Sequence, residues 1–131
     1  TAMLNILKGE AIKYPKQSVI RVLNSKLDSL DPSGIRTEFK RLKSEKDRYY
    51  IRENDFSFWT ADLFDAGSFR KASIAYDLYT EQYPKSVLAW QGLGDVYRKT
   101  GNRKEALEAY RKGLKLDPDD QELKKRINSF K

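Results

Sequence analysis

Two residue types are missing altogether: the 131-residue chain has no cysteine and no histidine. Without cysteine it can form no disulfide, no thiolate nucleophile and no zinc finger. Without histidine it loses the commonest general base and the commonest metal ligand. Carboxylates remain as metal ligands, but none stand at EF-hand spacing. No cofactor and no metal are therefore expected. No apolar run approaches the roughly 18 residues of a membrane span, so no membrane partner is expected. The opening TAMLNILKGE lacks the charged n-region and apolar core of a secretory signal. The chain opens on Thr1 rather than methionine, as a piece of a longer protein would, and the missing signal then says nothing of the parent.

What is present is typical of a packed domain. Hydrophobic residues make up 39%, aromatics 12% and charged residues 34%, too apolar a mixture for disorder. The net charge of +7 is unevenly spread. Residues 1–52 carry twelve basic and six acidic residues, residues 53–86 three and six, and residues 87–131 eleven and seven. A basic chain invites a nucleic-acid reading. Its cations, however, mix with acids at helical spacing, as in Glu105, Glu108, Arg111 and Lys112. That pattern favours a solvated helix face laced with ion pairs, and nucleic acid is disfavoured as a partner.

AWQGLGDVYRKTGNRKEALEAY, residues 89–110, sets small residues among bulky ones. A shift of 34 residues lays the chain on itself: Phe56 on Trp90, Trp59 on Leu93, Gly67 on Gly101, Ala72 on Ala106, Tyr76 on Tyr110 and Pro84 on Pro118. Between these positions the apolar residues recur with the helical period, with turn signals at the glycines and prolines. Two antiparallel helices approach to roughly 8–10 Å only if one side is small at the crossing. Gly94 and Ala106 would supply that, with Trp90, Leu93, Tyr97, Leu107 and Tyr110 around them. Gly101 is expected in the left-handed conformation that ends a helix. Asn102 is expected to cap the next helix, with Glu105 three residues on. Pro118 is expected at the first position of the helix after that.

These residues resemble the tetratricopeptide repeat, a helix–turn–helix unit of this length. Residues 87–120 carry its pattern at Trp90, Leu93, Gly94, Tyr97, Ala106, Tyr110 and Pro118, with Gly113 where alanine is usual. Residues 53–86 carry it less fully: Thr60 replaces the glycine, Leu63 the aromatic and Tyr79 the second small residue. The resemblance implies an all-α fold, a right-handed α-α superhelix of tetratricopeptide-like hairpins with a C-terminal capping helix. About three repeats are needed for a stable stack, so the flanks are expected to complete the core. Val19, Val22, Leu23, Leu27 and Leu30 mark one upstream helix, and Ile35, Phe39 and Leu42 a second. Together they read as a degenerate hairpin over 19–52. Leu123, Ile127 and Phe130 mark a capping helix over 121–131. The domain is thus expected over 19–131. Residues 1–18, with the apolar Met3, Leu4, Ile6 and Leu7 and the extended YPKQS, read as a junction.

Taken together, ILKG, YPKQS, FKRLKSEKDRYYI and the repeats that follow also resemble the helical tail behind the catalytic domain of bacterial β-lactamase-related serine hydrolases. That resemblance implies an accessory domain, and a periplasmic location if the parent is secreted. It does not imply catalysis here. Ser68 and Lys71 have the Ser-x-x-Lys spacing, but no Tyr-x-Asn or Lys-Thr-Gly element accompanies them. Ser68 follows Gly67 and reads as a helix cap. Asp62 and Asp65 have no companion chemistry that would make them a general acid–base pair.

In the tetratricopeptide family the first helix of each repeat lines a concave groove. By resemblance the groove-facing positions are Asn54, Ser57, Ala61 and Phe64 in one repeat and Leu88, Gln91, Asp95 and Arg98 in the next. Family members that clamp a peptide carboxylate use lysine and asparagine where this chain has Ser57 with Ala61, and Gln91 with Asp95. Asp95 is expected to repel a carboxylate. The implied partner is a protein: a hydrolase domain in cis, an oligomer neighbour or a peptide. The alternative is a free-standing adaptor for a peptide or an acidic partner.

Overall fold

The structure, a computed structural model, describes residues 15–130. The chain divides between Arg52 and Glu53 into two compact units. In the first unit, strand β1 (Gln17–Ser18) leads into helix α1 (Val19–Lys26), followed by α2 (Pro32–Ser44) and strand β2 (Tyr49–Tyr50). The second unit is five helices: α3 (Glu53–Asp65), α4 (Phe69–Gln82), α5 (Val87–Lys99), α6 (Arg103–Leu116) and α7 (Gln121–Asn128). The fold is an all-α helical repeat of tetratricopeptide type.

The first unit is built by its caps and one apolar seam. Ser18 accepts from the Ile20 amide at 3.2 Å, and Asp31 from the Gly34 amide at 2.7 Å, with Pro32 just inside the helix it opens. Val19, Leu23 and Leu27 then bury with Ile35, Phe39 and Leu42, as their spacing predicts. Ile20 joins them, while Val22 and Leu30 are only half-buried. The extended Gln17–Ser18 pairs in parallel with Tyr49–Tyr50. Residues 1–14, including the Met3, Leu4, Ile6 and Leu7 cluster, lie outside the described residues. On the surface, Lys26, Glu38, Arg41, Glu45 and Arg48 form a run of ion pairs. The hydrogen bond from Arg41 holds the Glu38 carboxyl below its usual pKa. Such exposed pairs contribute little to stability.

The second unit keeps the sequence period in the boundaries of its first four helices. The helices α3 and α4 begin at 53 and 69 and end at 65 and 82; α5 and α6 begin and end 34 residues later. The seventh helix begins 34 residues after α5, which puts it in the slot of a first helix. Gly67 and Gly101 have φ of +74° and +80°, the left-handed turn that ends α3 and α5. The amides of Ser68 and Asn102 then reach back to the carbonyls of Leu63 and Tyr97, at 2.9 and 2.8 Å. Those of Gly67 and Gly101 reach Phe64 and Arg98, which completes a Schellman motif at each end.

This geometry corrects two caps. Ser68 and Asn102 stand at the N-cap positions of α4 and α6, but neither side chain caps its helix. Their backbones, ψ of 63° and 73°, are set by closing the preceding helix. At Ser86 and Asp120, ψ is 109° and 108°, and those side chains do accept from Ala89 and Leu123 amides. Asn102 donates to Thr100 Oγ1 instead. Pro118 is not the first residue of α7 either; it lies in the turn before it, and Asp120 supplies the cap.

Close packing accounts for the small residues. A Cβ on Gly94 would stand 2.4 Å from the Tyr110 ring, and one on Gly92 would stand 2.1 Å from the Tyr76 ring. Two glycines on α5 thus receive one tyrosine from the preceding repeat and one from its own. Ala72 and Ala106 are fully buried. In the first repeat Thr60 takes the glycine position and stays buried by bonding the Phe56 carbonyl at 2.7 Å. The bulk of Tyr79 is absorbed by stacking on Phe56 at 5.5 Å between centroids. Replacing Ala106 by leucine should overpack its crossing and cost about 1–3 kcal/mol. A thermal melt with an unchanged midpoint would contradict this repeat register.

Candidate functional site

The expected groove positions all fall on the first helices of the repeats. Asn54, Ala61, Leu88 and Arg98 are exposed, and Ser57, Phe64, Gln91 and Asp95 are half-buried. Three of them, Phe64, Asp95 and Arg98, come together with Lys99, Glu122, Lys125 and Arg126 around an open cleft of about 650 Å³. The other five do not line it. Four lining residues were not among the expected ones. Three belong to α7, read from sequence as a cap alone. The period itself points to two of these: Leu88 and Gln91, advanced by 34 residues, fall on Glu122 and Lys125.

Asp95 is the centre of the cleft's electrostatics. Its Oδ1 accepts from the Tyr110 hydroxyl at 2.6 Å and from Arg126 Nε at 2.9 Å. Arg126 also donates to Glu122 Oε2 at 3.2 Å, and Lys125 lies 3.6 Å from the other oxygen of Glu122. Burial works against the Arg126 charge, but the hydrogen bond and charge of Asp95 outweigh it and raise the guanidinium pKa. Burial first, then Asp95, pushes the Tyr110 hydroxyl up, so it remains a donor at neutral pH. Asp95, expected to repel a carboxylate, is thus already engaged by a cation and a hydroxyl. The Tyr110 ring is fully buried with Ala106 and Leu123, which ties the cleft floor to the core. Phe130 packs over Tyr110 at 6.2 Å, beneath the guanidinium groups of Arg98 and Arg103.

A second cleft, of about 450 Å³, is lined by Glu53, Tyr83 and Ser86. Among the described residues no three carboxylates come together that could hold a metal ion. No helix among them is long and apolar enough to cross a membrane.

Comparison with known proteins agrees with this architecture. Residues 87–120 match the family model of the tetratricopeptide repeat. The chain is also similar to Superkiller protein 3 of Schizosaccharomyces pombe, at 38% identity over 56 residues. That match takes in 43% of this chain and 4% of the length of Superkiller protein 3.

Proposed function

We propose that this chain is a non-catalytic scaffold that contacts other proteins through its first-helix face. The observation that carries the reading is the cleft itself. Residues from α3, α5 and α7 converge on it, while Ser68 sits at a helix end whose backbone bonds explain it. A tetratricopeptide repeat suggests the same use. A photocrosslinking residue at Gln91, on the first-helix face, should capture polypeptide, and one at the exposed Arg111 of α6 should not. Equal capture at both positions, or at neither, would overturn the reading.

The chain should also turn over ester and β-lactam substrates no faster than buffer does. Turnover that disappears in Ser68→Ala would make it an enzyme. The finer form of the reading is an accessory domain acting in cis with a bacterial serine hydrolase, supported by the resemblance of nearly the whole chain to such tails. The intact mass of the native protein tests it: a value far above 15.3 kDa per chain is expected. A native mass of that size alone would favour the second reading, a free-standing adaptor, which the cationic character of the cleft also supports.

A further inference from the structure

The cleft has a chemistry that narrows its partner. Four cations, Arg98, Lys99, Lys125 and Arg126, face two carboxylates, Asp95 and Glu122, a net charge of +2. Both carboxylates are already engaged within the cleft. Arg126 bonds each of them, and Lys125 approaches Glu122. Among the described residues Arg98 and Lys99 have no carboxylate within ion-pair distance; the Arg98 guanidinium lies over the Phe130 ring. The positive charge in excess is therefore directed at whatever enters. Beside it stands the half-buried Phe64, an apolar surface at the edge of a charged site.

We infer that the cleft binds an acidic peptide segment of a partner protein. Carboxylates of that segment lie against Arg98, Lys99 and Lys125, and one of its apolar side chains lies on Phe64. This rests on the scaffold reading above and adds the partner's chemistry to it. A peptide is favoured over nucleic acid because the positive charge is local. Residues 53–86, which supply Phe64, carry six acidic and three basic residues. A long polyanion running on from the cleft along them would be repelled, whereas a short segment with a few carboxylates would meet only the cationic end.

Fluorescence anisotropy on the whole chain tests the inference with three labelled probes. These are a peptide of alternating glutamate and alanine with one leucine, its glutamine-for-glutamate counterpart, and a short oligothymidylate. The glutamate peptide should bind, and more weakly as salt rises. Lys99→Glu combined with Lys125→Glu should weaken it by roughly tenfold or more, through reversal of two exposed charges. Asp95→Asn should tighten it several-fold, because it removes a negative charge and leaves Arg126 in place. A merely structural role for Asp95 would give no such gain. Melting curves check that each variant is folded. If the glutamine peptide binds equally well, or the charge reversal shifts affinity less than about twofold, the acidic-partner inference fails and the scaffold reading stands. If neither peptide binds, the inference fails, and crosslinking at Gln91 separately decides the scaffold reading. Oligothymidylate binding more tightly than the glutamate peptide would overturn the inference in favour of nucleic acid.

Discussion

Tyr110→Ala should cost the second unit about 3–5 kcal/mol, enough to unfold a marginal domain. The ring is fully buried, so its removal leaves a cavity between α5, α6 and α7. It also takes away the hydroxyl that bonds Asp95 at 2.6 Å and the surface on which Phe130 rests. Tyr110→Phe separates these contributions. It keeps the ring and loses one hydrogen bond to a charged group, about 1–2 kcal/mol with Asp95 still held by Arg126. Urea unfolding of the two variants should therefore differ by about 1–4 kcal/mol. Equal destabilisation would mean that the hydroxyl, not the packing, holds this crossing together.

Gly92→Leu should be comparably severe, about 3 kcal/mol, at the upper end of overpacking effects. Even the first carbon of the new side chain would overlap the Tyr76 ring, at 2.1 Å from Cε1 and 2.3 Å from Cζ. That ring cannot turn aside freely, because it is 8% exposed and lies stacked 6.4 Å from Tyr79. The helix preference of leucine over glycine returns less than about 1 kcal/mol. Gly67→Ala is the contrasting case. Nothing lies within 4 Å of a Cβ there, but φ is +74°, so the cost is backbone strain of about 1 kcal/mol. Melting temperatures should rank Gly92→Leu well below Gly67→Ala. A reversed order would mean that α5 does not press against the Tyr76 ring of α4.

These variants mark where the sequence was legible. Helix periodicity, the two turn glycines and the matched alanines are local or nearly local signals, and the 34-residue period multiplies them. Gly92 was missed because its neighbour Gly94 already fits the repeat pattern; only the Tyr76 ring shows that the second glycine is also filled. The caps at Ser68 and Asn102 failed for a different reason. A serine or asparagine before a helix is an ordinary cap signal, but here the preceding Schellman turn fixes the backbone first. The cleft was half legible. Phe64, Asp95 and Arg98 follow from the first-helix face, whereas the state of Asp95 depends on Arg126, thirty-one residues away in sequence. An ion pair across that separation has no local signature, so the acid reads as unpaired until α7 is in place.

The cleft between α5 and α7 is where we place the contact with an acidic partner. Titrating the isotope-labelled chain with the glutamate–alanine peptide, followed by amide and side-chain NMR shifts, tests that placement most directly. Saturable shifts are expected at Phe64, Arg98, Lys99, Lys125 and Arg126, with the exposed α6 residues Arg111 and Lys112 unmoved. Shifts centred on α6 or on residues 15–52, with those five unchanged, would contradict it.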